Sequence, residues 1–371
     1  MKALMIETGG WGGIAHYTWN LCAALASNGV DVSLLTNHAW ELAHLPPVFE
    51  VERCFSSEAG YLGNVSALRA RMRRIQPAVV HVQSLLSTRF DALLWPIVRR
   101  RAPVVVTIHN VRTHERIRWD DWTLWRCFAA ADAVVVHTRA AGEIARRRLA
   151  GARIELIHHG DAGFLHEGAR LDRAGARAAL GLPLAAPVVL VFGAIRPYKG
   201  IHGVIAALPE LRRRHPDTRL VIAGPLLVGS EGEYREAIRR AGVEDAVRFR
   251  PEYVPASEVA TYFAAADVAV FNYRDITDSG SLRLACDLGT PVVATAVGSF
   301  REFLTDGVTA RLVEPGHADS LVEALADVLA RPEQAARMAQ AARALATTAW
   351  SWADSAKATA QLYETLGRGG A

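Results

Sequence analysis

Short apolar runs rich in β-branched residues alternate along the chain with amphipathic stretches of helix length. This alternation is typical of β-α-β units, in which helices connect parallel strands and cover the sheet. The first predicted helix has apolar residues three or four positions apart and ends at Asn28-Gly29, a typical left-handed terminator. The predicted strands are residues 3–6, 32–35, 79–82, 104–108, 133–136 and 154–157, followed by 188–192, 220–223, 247–249, 268–271, 292–294 and 311–313. The pattern predicts an α/β protein with two doubly wound parallel sheets.

The two series of strands are separated by residues 160–187, which are rich in glycine, alanine, arginine and proline and lack a buried-strand run. We predict a first Rossmann-like domain over 1–165, a linker over 166–187, a second Rossmann-like domain over 188–349, and a C-terminal helix over 350–371 that packs back on the first domain. Open parallel sheets bind ligands at the carboxyl ends of their strands, so we expect a ligand cleft between the two domains.

Composition places the chain among ordinary globular proteins. Of its 371 residues, 51% are hydrophobic and 22% are charged, which argues against disorder and against a fibrous repeat. The four cysteines form no C-x-x-C pair, so neither a disulfide framework nor a zinc site is expected. No apolar run reaches about 18 residues and the first ten residues do not resemble a secretory signal. We therefore expect a cytoplasmic protein, soluble or peripheral at the inner face of the membrane.

Positive charge is concentrated in the first half of the chain. Residues 1–180 contain 22 Lys+Arg and 16 Asp+Glu, a net charge of +6, whereas the whole chain has a net charge of +4. Arginines cluster at 69–74, 99–101 and 146–148. The simpler interpretation is solvated helix faces; the alternative is a surface that meets anionic lipid headgroups or an anionic acceptor. Nucleic acid is not expected, because no aromatic-interleaved basic stripe accompanies the arginines.

Two loops of the first half could carry chemistry. Residues 9–13, Gly-Gly-Trp-Gly-Gly, lie between a strand and a helix, where glycine allows the backbone to approach a phosphate or sugar. They match neither G-x-G-x-x-G nor the phosphate loop, and a plain turn explains them equally well. His109 ends a predicted central strand and is a candidate site residue, although a structural histidine is the alternative. Its neighbours His114 and Glu115 make the choice less unique, and a two-histidine metal site formed by His109 and His114 would need a third ligand.

Two loops of the second half could bind a diphosphate together. Arg196 and Lys199 follow the strand 188–192 and could neutralise two phosphates, the arginine through a bidentate fork and the lysine as a point charge. Residues 278–281, Asp-Ser-Gly-Ser, precede a predicted helix whose first amides could bind the same anion. An exposed basic loop and a simple N-cap are the alternatives for each loop alone.

These residues, in this order, resemble the family 4 retaining nucleotide-sugar glycosyltransferases of the GT-B fold, and the resemblance covers nearly the whole chain. Its parts are residues 12–16, 107–109, 157–161, Gly193 with Arg196 and Lys199, 262–267, 278–281, 289–295, and Gly298 with Glu302. The resemblance implies that the second domain binds a nucleoside diphosphate sugar and that the first binds a hydroxyl acceptor. It implies no cofactor and no metal, because protein cations neutralise the leaving group.

Roles for individual residues follow from the same resemblance. Arg196 and Lys199 would hold and stabilise the diphosphate leaving group, and His109 would contact the donor sugar near the reaction centre. Further donor contacts are implied for Gly12, Gly13, Gly193, Asp278, Ser279, Gly280 and Ser281, and an acceptor contact for His16. The family's pair of glutamates would fall at Ile276 and Leu284, neither of which is acidic. This departure puts the donor contacts in question, with Asp275 or Asp278 as candidate substitutes.

We therefore expect a retaining glycosyltransferase of the hexosyltransferase type, acting in glycan, polysaccharide or glycoconjugate biosynthesis. A sugar-nucleotide epimerase on the same fold is the second hypothesis. A non-catalytic nucleotide-sugar-binding subunit is the third, because the acidic pair is absent. A dehydrogenase fits least, since the dinucleotide glycine fingerprint is missing. A lipid-linked acceptor and peripheral contact with an anionic membrane would suit the basic first half; the nucleotide base and the sugar stay open.

Overall fold

The structure is a computed structural model, and it describes residues 1–109, 111, 118–161 and 171–368. The chain divides into two compact units. The first unit contains Met1–Gly160 together with the C-terminal stretch from Trp350, and the second contains Asp161–Ala349. The predicted boundary at 165/166 lies outside the described residues.

The first unit is built on a seven-stranded sheet whose strand pairs are all parallel, in the order β3-β2-β1-β4-β5-β6-β7. Its strands are β1 Lys2–Ile6, β2 Asp31–Asn37, β3 Glu50–Phe55, β4 Val79–Val82, β5 Val104–Thr107, β6 Ala133–Val136 and β7 Ile154–Leu156. Its helices are α1 Gly12–Ser27, α2 Gly60–Ile75, α3 Asp91–Val98, α4 Arg118–Ala129, α5 Arg139–Arg148 and, at the end of the chain, α14 Trp352–Arg368.

The second unit is built on a six-stranded parallel sheet in the order β10-β9-β8-β11-β12-β13. Its strands are β8 Val188–Phe192, β9 Arg219–Ala223, β10 Val247–Arg250, β11 Val268–Phe271, β12 Val292–Thr295 and β13 Arg311–Val313. Its helices are α6 Arg173–Ala179, α7 Ile201–Arg214, α8 Glu231–Arg240, α9 Ala256–Ala265, α10 Gly280–Asp287, α11 Gly298–Phe303, α12 Ala318–Ala330 and α13 Pro332–Ala349, with a 3-10 turn at Pro197–Lys199.

Buried strands explain why the apolar runs predicted the fold. Every residue of β4, β5, β6, β8, β11 and β12 is buried, as expected for parallel strands covered by helices on both faces. In the first unit, one core cluster joins the sheet to α2, α3, α4 and α5, and another joins its opposite face to α1 and α14. The predicted doubly wound α/β architecture is confirmed, with a sheet in each unit.

The prediction of the first sheet lacked one strand, β3. This strand lies at the sheet edge, pairs only with β2 among the described strands, and carries Glu50, Glu52 and Arg53 instead of an apolar run. Arg71 and Arg74 of α2 form ion pairs with its glutamates. An edge strand needs only a partly buried face and often carries charge, so its sequence gives no strong strand signal.

The segment 166–187 is more than the connector expected from its composition, because it contains α6. Arg177 of this helix is fully buried and donates to Asp267 Oδ2 at 2.7 Å and to Ala265 O at 3.0 Å. Asp267 also accepts from the backbone N–H of Val188 at 2.7 Å. A buried arginine therefore anchors this helix to the second unit. In a segment rich in alanine and arginine, the sequence does not show which arginine is buried.

Helix α14, at the end of the chain, packs on α1, near its start. Tyr363 is fully buried, and its hydroxyl lies 2.5 Å from His81 Nδ1, while His81 Nε2 lies 2.7 Å from Thr107 Oγ1. Burial lowers the pKa of His81 to about 3, so this histidine is neutral. The predicted return of the C-terminal helix to the first domain is confirmed.

Candidate functional site

The loops after β8 and β11 meet at the carboxyl edge of the second sheet. The two strands are neighbours, so the segments that leave their ends start side by side. Gly193, directly after β8, has a φ of +94°, and a Cβ on it would collide with Ser281 Oγ and stand 3.0 Å from Lys199 Nζ. The structure therefore brings together the Arg196/Lys199 loop and the Ser279–Ser281 segment, as the sequence analysis expected.

Lys199 is the buried cation of this cluster. Only 5% of it is exposed, and its Nζ donates to Phe192 O at 3.2 Å and lies 5.5 Å from the centroid of the Tyr273 ring. Burial, and then the nearby positive charge of Arg196, lower its pKa to about 7. Among the described residues, no carboxylate lies within ion-pair distance of Lys199. The ammonium is thus poorly compensated, and an anion placed here would stabilise it.

The opposite wall of this cluster is the start of α10. Ser279 is its N-cap and accepts from Leu282 N at 3.2 Å, while a Cβ on Gly280 would meet no atom within 4 Å. Tyr273, which local sequence pattern did not indicate, is buried, and the nearby side chains of Ser279 and Ser281 lower its pKa against the larger opposite effect of burial. Helix N-termini attract anions through unpaired N–H groups and the helix dipole. Tyr273 therefore connects the Lys199 side of the cluster with its α10 side.

Asp278 has a structural partner that the sequence did not reveal. Its Oδ1 accepts from the guanidinium of Arg283 and from Ser279 N, the latter at 2.8 Å. The Arg283 side chain is only 4% exposed and its guanidinium lies 5.4 Å from the centroid of the Phe303 ring. This buried pair fixes the turn that leads into α10. A charged residue on an otherwise buried helix face is the signal that could have identified Arg283.

The two positions where the family has glutamates are occupied by apolar side chains here. Ile276 is 7% exposed, and its backbone oxygen accepts from Ser299 N at 3.2 Å. A Cβ on Gly298, whose φ is +45°, would collide with that oxygen. Leu284 is half-buried in α10. The backbone of this segment is therefore held by close packing, without the acidic pair.

A cavity of about 380 Å³ opens beside this cluster. It is lined by residues that follow β11 and β13, including Asn272, Tyr273 and His317, and by Gly200 at the start of α7. Ligand pockets commonly have volumes of about 300–1,000 Å³. The carboxyl edge of the second sheet therefore offers both a cationic cluster and a ligand-sized space.

In the first unit, a buried carboxylate shapes the glycine loop after β1. Glu7 accepts from Gly9 N at 2.9 Å, from Gly10 N at 2.8 Å and from Thr36 Oγ1 at 3.0 Å. Burial is the main cause that raises its pKa. Gly10 has a φ of +79°, and a Cβ there would stand 2.7 Å from Asn37 Cβ. An acidic residue directly after a buried strand was the available signal for this network.

Gly12, Gly13 and His16 lie at the start of α1. Glu41 Oε2 accepts from Gly12 N at 3.0 Å and lies 3.3 Å from His16 Nε2. A Cβ on Gly12 or Gly13 would meet no atom within 4 Å. The structure thus places the predicted acceptor residue His16 beside the glycines, with Glu41 connecting them.

His109 is held by an amide and by aromatic rings. Its Nε2 lies 3.0 Å from Gln83 Oε1, and its ring centroid is 4.8 Å from that of Tyr17. The Tyr17 ring also contacts Trp352 of α14, with centroids 5.3 Å apart. A Cβ on Gly160 would collide with the Trp352 ring. The C-terminal helix therefore contributes to the surroundings of His109, which no local pattern could indicate.

The proposed alternative of a metal near His109 receives no support from the described part of the chain. His114 and Glu115 lie outside the described residues. Within the described ranges, no group of three or more His, Cys, Asp or Glu side chains is arranged to hold a metal ion. The expected absence of a metal requirement stays a prediction.

The two units of the chain match two different family models. Residues 11–160 match the family model described as Glycosyltransferase Family 4, and residues 172–345 match the model described as Glycosyl transferases group 1. The two matches lie in the first and the second unit respectively. The chain belongs to the family 4 glycosyltransferases.

Two named glycosyltransferases are similar to this family member in sequence. The chain is 37% identical over 177 residues to a GDP-mannose-dependent α-(1-6)-phosphatidylinositol monomannoside mannosyltransferase of Mycolicibacterium smegmatis, over 45% of this chain and 44% of that protein. It is 34% identical over 229 residues to a D-inositol 3-phosphate glycosyltransferase of Streptomyces scabiei, over 56% of this chain and 51% of that protein. The chain spans about half the length of these curated relatives.

Solved structures of the same fold cover nearly the whole chain. Sucrose-phosphate synthase from Thermosynechococcus elongatus has a TM-score of 0.79 at 23% identity, covering 98% of both chains. HepE from Anabaena, solved with UDP-glucose, has a TM-score of 0.79 at 21% identity, covering 98% of this chain and 100% of that one. The predicted GT-B fold class of this family 4 member is confirmed.

Proposed function

We propose that this chain is a retaining glycosyltransferase that moves a sugar from a nucleoside diphosphate sugar to a hydroxyl acceptor. The observation that carries the proposal is the meeting of Gly193, Lys199 and Ser281 at one point of the second sheet. A buried ammonium, a second cation on the same loop, and the start of α10 all favour negative charge there. The named relatives that use GDP-mannose, or were solved with UDP-glucose, support this donor class.

In this proposal the second unit stabilises the leaving group. When the glycosidic bond to the donor phosphate breaks, negative charge develops on the departing diphosphate. Arg196 and Lys199 would neutralise this charge, and the Ser279–Ser281 segment would donate hydrogen bonds to the same oxygens. Because Lys199 is already buried, its interaction with the charge would be little weakened by water. His109 of the first unit is proposed to contact the donor sugar, and His16 the acceptor.

Donor binding and turnover of two variants test this proposal. Lys199→Met and Arg196→Ala should each lower kcat/KM for the donor about a hundredfold or more, because each removes a charge from the developing anion. The matched control is Arg337→Ala, which removes an exposed arginine of α13 that does not line the cavity. The donor is first selected from UDP, GDP, ADP and dTDP sugars by thermal shift. Unchanged kcat/KM in both variants would contradict the proposal.

A second candidate function is a nucleotide-sugar-binding subunit without catalysis. The apolar residues Ile276 and Leu284, at the two positions where the family has glutamates, favour this candidate. The two functions are distinguished by incubating the chain with its donor, first alone and then with a panel of hydroxyl acceptors. Transfer supports the enzyme, tight donor binding without transfer or hydrolysis supports the subunit, and a new nucleotide sugar would indicate an epimerase.

For the acceptor, we propose a chemical class and no particular compound. A lipid-linked hydroxyl compound at an anionic membrane suits the net charge of +6 over residues 1–180. One named relative acts on phosphatidylinositol monomannoside, which is an acceptor of this kind. Within the described ranges of the chain, none of the helices has the length and apolar character needed to cross a bilayer.

A further inference from the structure

The short helix α3 is apolar on two opposite faces. Leu94, Trp95 and Val98 point into the core of the first unit. Phe90, at the N-cap, and Leu93 and Ile97 lie on the other face at positions i, i+3 and i+7, and are 51%, 68% and 54% exposed. A helix that is apolar all round is normally buried on all sides. The outer face of α3 therefore exposes three large apolar side chains to water.

Arginines with no ionic partner among the described residues follow this apolar face. Arg99 pairs with Asp132 at 2.6 Å, but Arg100 and Arg101, in the turn that follows α3, are exposed and have no carboxylate within ion-pair distance in the described part of the chain. The exposed apolar side chains of α3 are thus followed directly by two positive charges without a nearby carboxylate among the described residues.

The neighbouring helix α2 extends the same combination. Leu62, which is 80% exposed, lies on one stripe of α2 with the exposed Arg69 and Arg73, at i, i+7 and i+11. Helices α2 and α3 pack on the same face of the sheet, since both contribute to one core cluster. The Tyr61 ring contacts the Phe90 ring with centroids 5.3 Å apart, which places the start of α2 beside the start of α3.

We propose that this surface, formed by Phe90, Leu93, Ile97, Arg100 and Arg101 with the Leu62–Arg73 stripe of α2, docks the chain on an anionic lipid bilayer. Apolar side chains enter the interface between headgroups and acyl chains, while arginines meet lipid phosphates. Charge selects this partner: the surface is positive, and the cytoplasmic leaflet presents a continuous negative charge. The inference sharpens the membrane contact proposed above by naming the residues that make it.

Vesicle co-sedimentation of the full chain tests the surface. The vesicles are phosphatidylcholine alone or mixed with about 30% phosphatidylglycerol, at low salt and at about 0.5 M salt. We expect binding to the mixed vesicles at low salt and much weaker binding in the other conditions. Arg100→Ser/Arg101→Ser should weaken binding about twenty-five-fold, roughly fivefold per charge. Leu93→Ser/Ile97→Ser should weaken it about tenfold or more.

Matched controls come from the second unit. Arg337→Ser/Arg343→Ser removes two exposed arginines, and Leu184→Ser/Val308→Ser removes two apolar side chains of similar exposure. Both controls should bind vesicles like the unchanged chain. All four double variants change exposed side chains, so circular dichroism and thermal unfolding should show a folded protein in each case.

Three results would overturn the inference. The first is that the unchanged chain does not bind the mixed vesicles, and the second is that the α3 variants bind them as well as the controls do. The third is concentration-dependent self-association that Leu93→Ser/Ile97→Ser abolishes, without vesicle binding; the occupant would then be a second copy of the chain. Vesicle binding is measured without donor or acceptor, so a lack of transferase activity would leave this test unaffected.

Discussion

Raising the pH should weaken donor binding through Lys199. Burial and Arg196 hold the pKa of this lysine at about 7 in the absence of ligand, whereas an exposed lysine titrates near 10.5. A donor diphosphate favours the charged ammonium, so binding should raise this pKa and take up a proton. Donor affinity is therefore expected to be nearly constant well below pH 7 and to fall above it.

The size of the effect follows from the protonated fraction. About half of the Lys199 side chains are charged at pH 7 and about one in a hundred at pH 9, so affinity should fall about fiftyfold between these values. Binding should take up about half a proton at pH 7 and nearly one at pH 8.5. The donor diphosphate itself, being a diester, does not titrate in this interval.

Isothermal titration calorimetry in buffers of different ionisation enthalpy measures both the affinity and the proton uptake. Lys199→Arg should bind donor with a nearly flat pH dependence, because a guanidinium stays charged throughout. Lys199→Met should bind weakly and also without pH dependence. The reasoning is refuted if the unchanged chain binds equally well at pH 7 and pH 9, or if the methionine variant retains the slope.

The same lysine should destabilise the chain when no donor is bound. Its pKa is lower in the folded state than in the unfolded state, so the unfolded state binds more protons between about pH 7 and pH 10. The stability of the folded chain should therefore rise with pH across that window. Lys199→Met should remove this dependence and stabilise the ligand-free chain at pH 7 by up to about 4 kcal/mol. Thermal unfolding of both proteins at pH 7 and pH 9 measures it, and a methionine variant that unfolds at a lower temperature would contradict the burial argument.

Three further substitutions test the packing on which the sites depend. Gly193→Ala should lower the stability of the folded chain by about 1–3 kcal/mol and abolish donor binding. The φ of Gly193 is positive, and a Cβ there would collide with the Ser281 side chain. Donor binding retained in calorimetry would show that the loop can move away. Arg283→Met should cost up to about 3–5 kcal/mol in urea unfolding, because the half-buried Asp278 carboxylate would lose its cationic partner, and adding Asp278→Asn should restore part of this loss. Equal stability of the single and double variants would argue against the pair. Tyr363→Phe should cost about 1–3 kcal/mol by removing the hydroxyl that contacts His81, whereas a change below the error of the measurement would show that this contact contributes nothing.

Local pattern was sufficient to predict most of the fold. A parallel strand covered on both faces must be apolar along its whole length, so β4, β5, β8 and β11 can be recognised without any partner. The loops that follow such strands necessarily emerge at one edge of the sheet, and that rule brought Lys199 and Ser281 under consideration together. Gly193 entered only through the family resemblance, and its positive φ, which glycine tolerates freely, is a finding of the structure.

Tertiary structure alone decided which partners these residues have. The buried polar side chains of Glu7, Tyr273 and Arg283 have structural roles that depend on contacts with other segments. Residue spacing in the sequence does not predict those contacts. The edge strand β3 was missed because it buries too little apolar surface to show a strand pattern. The outer face of α3 was hidden for the opposite reason: in sequence its leucines look like core, and only the sheet position of the helix shows which of them remain in water. Periodicity is a property of neighbours along the chain, whereas burial is a property of everything that packs around a side chain.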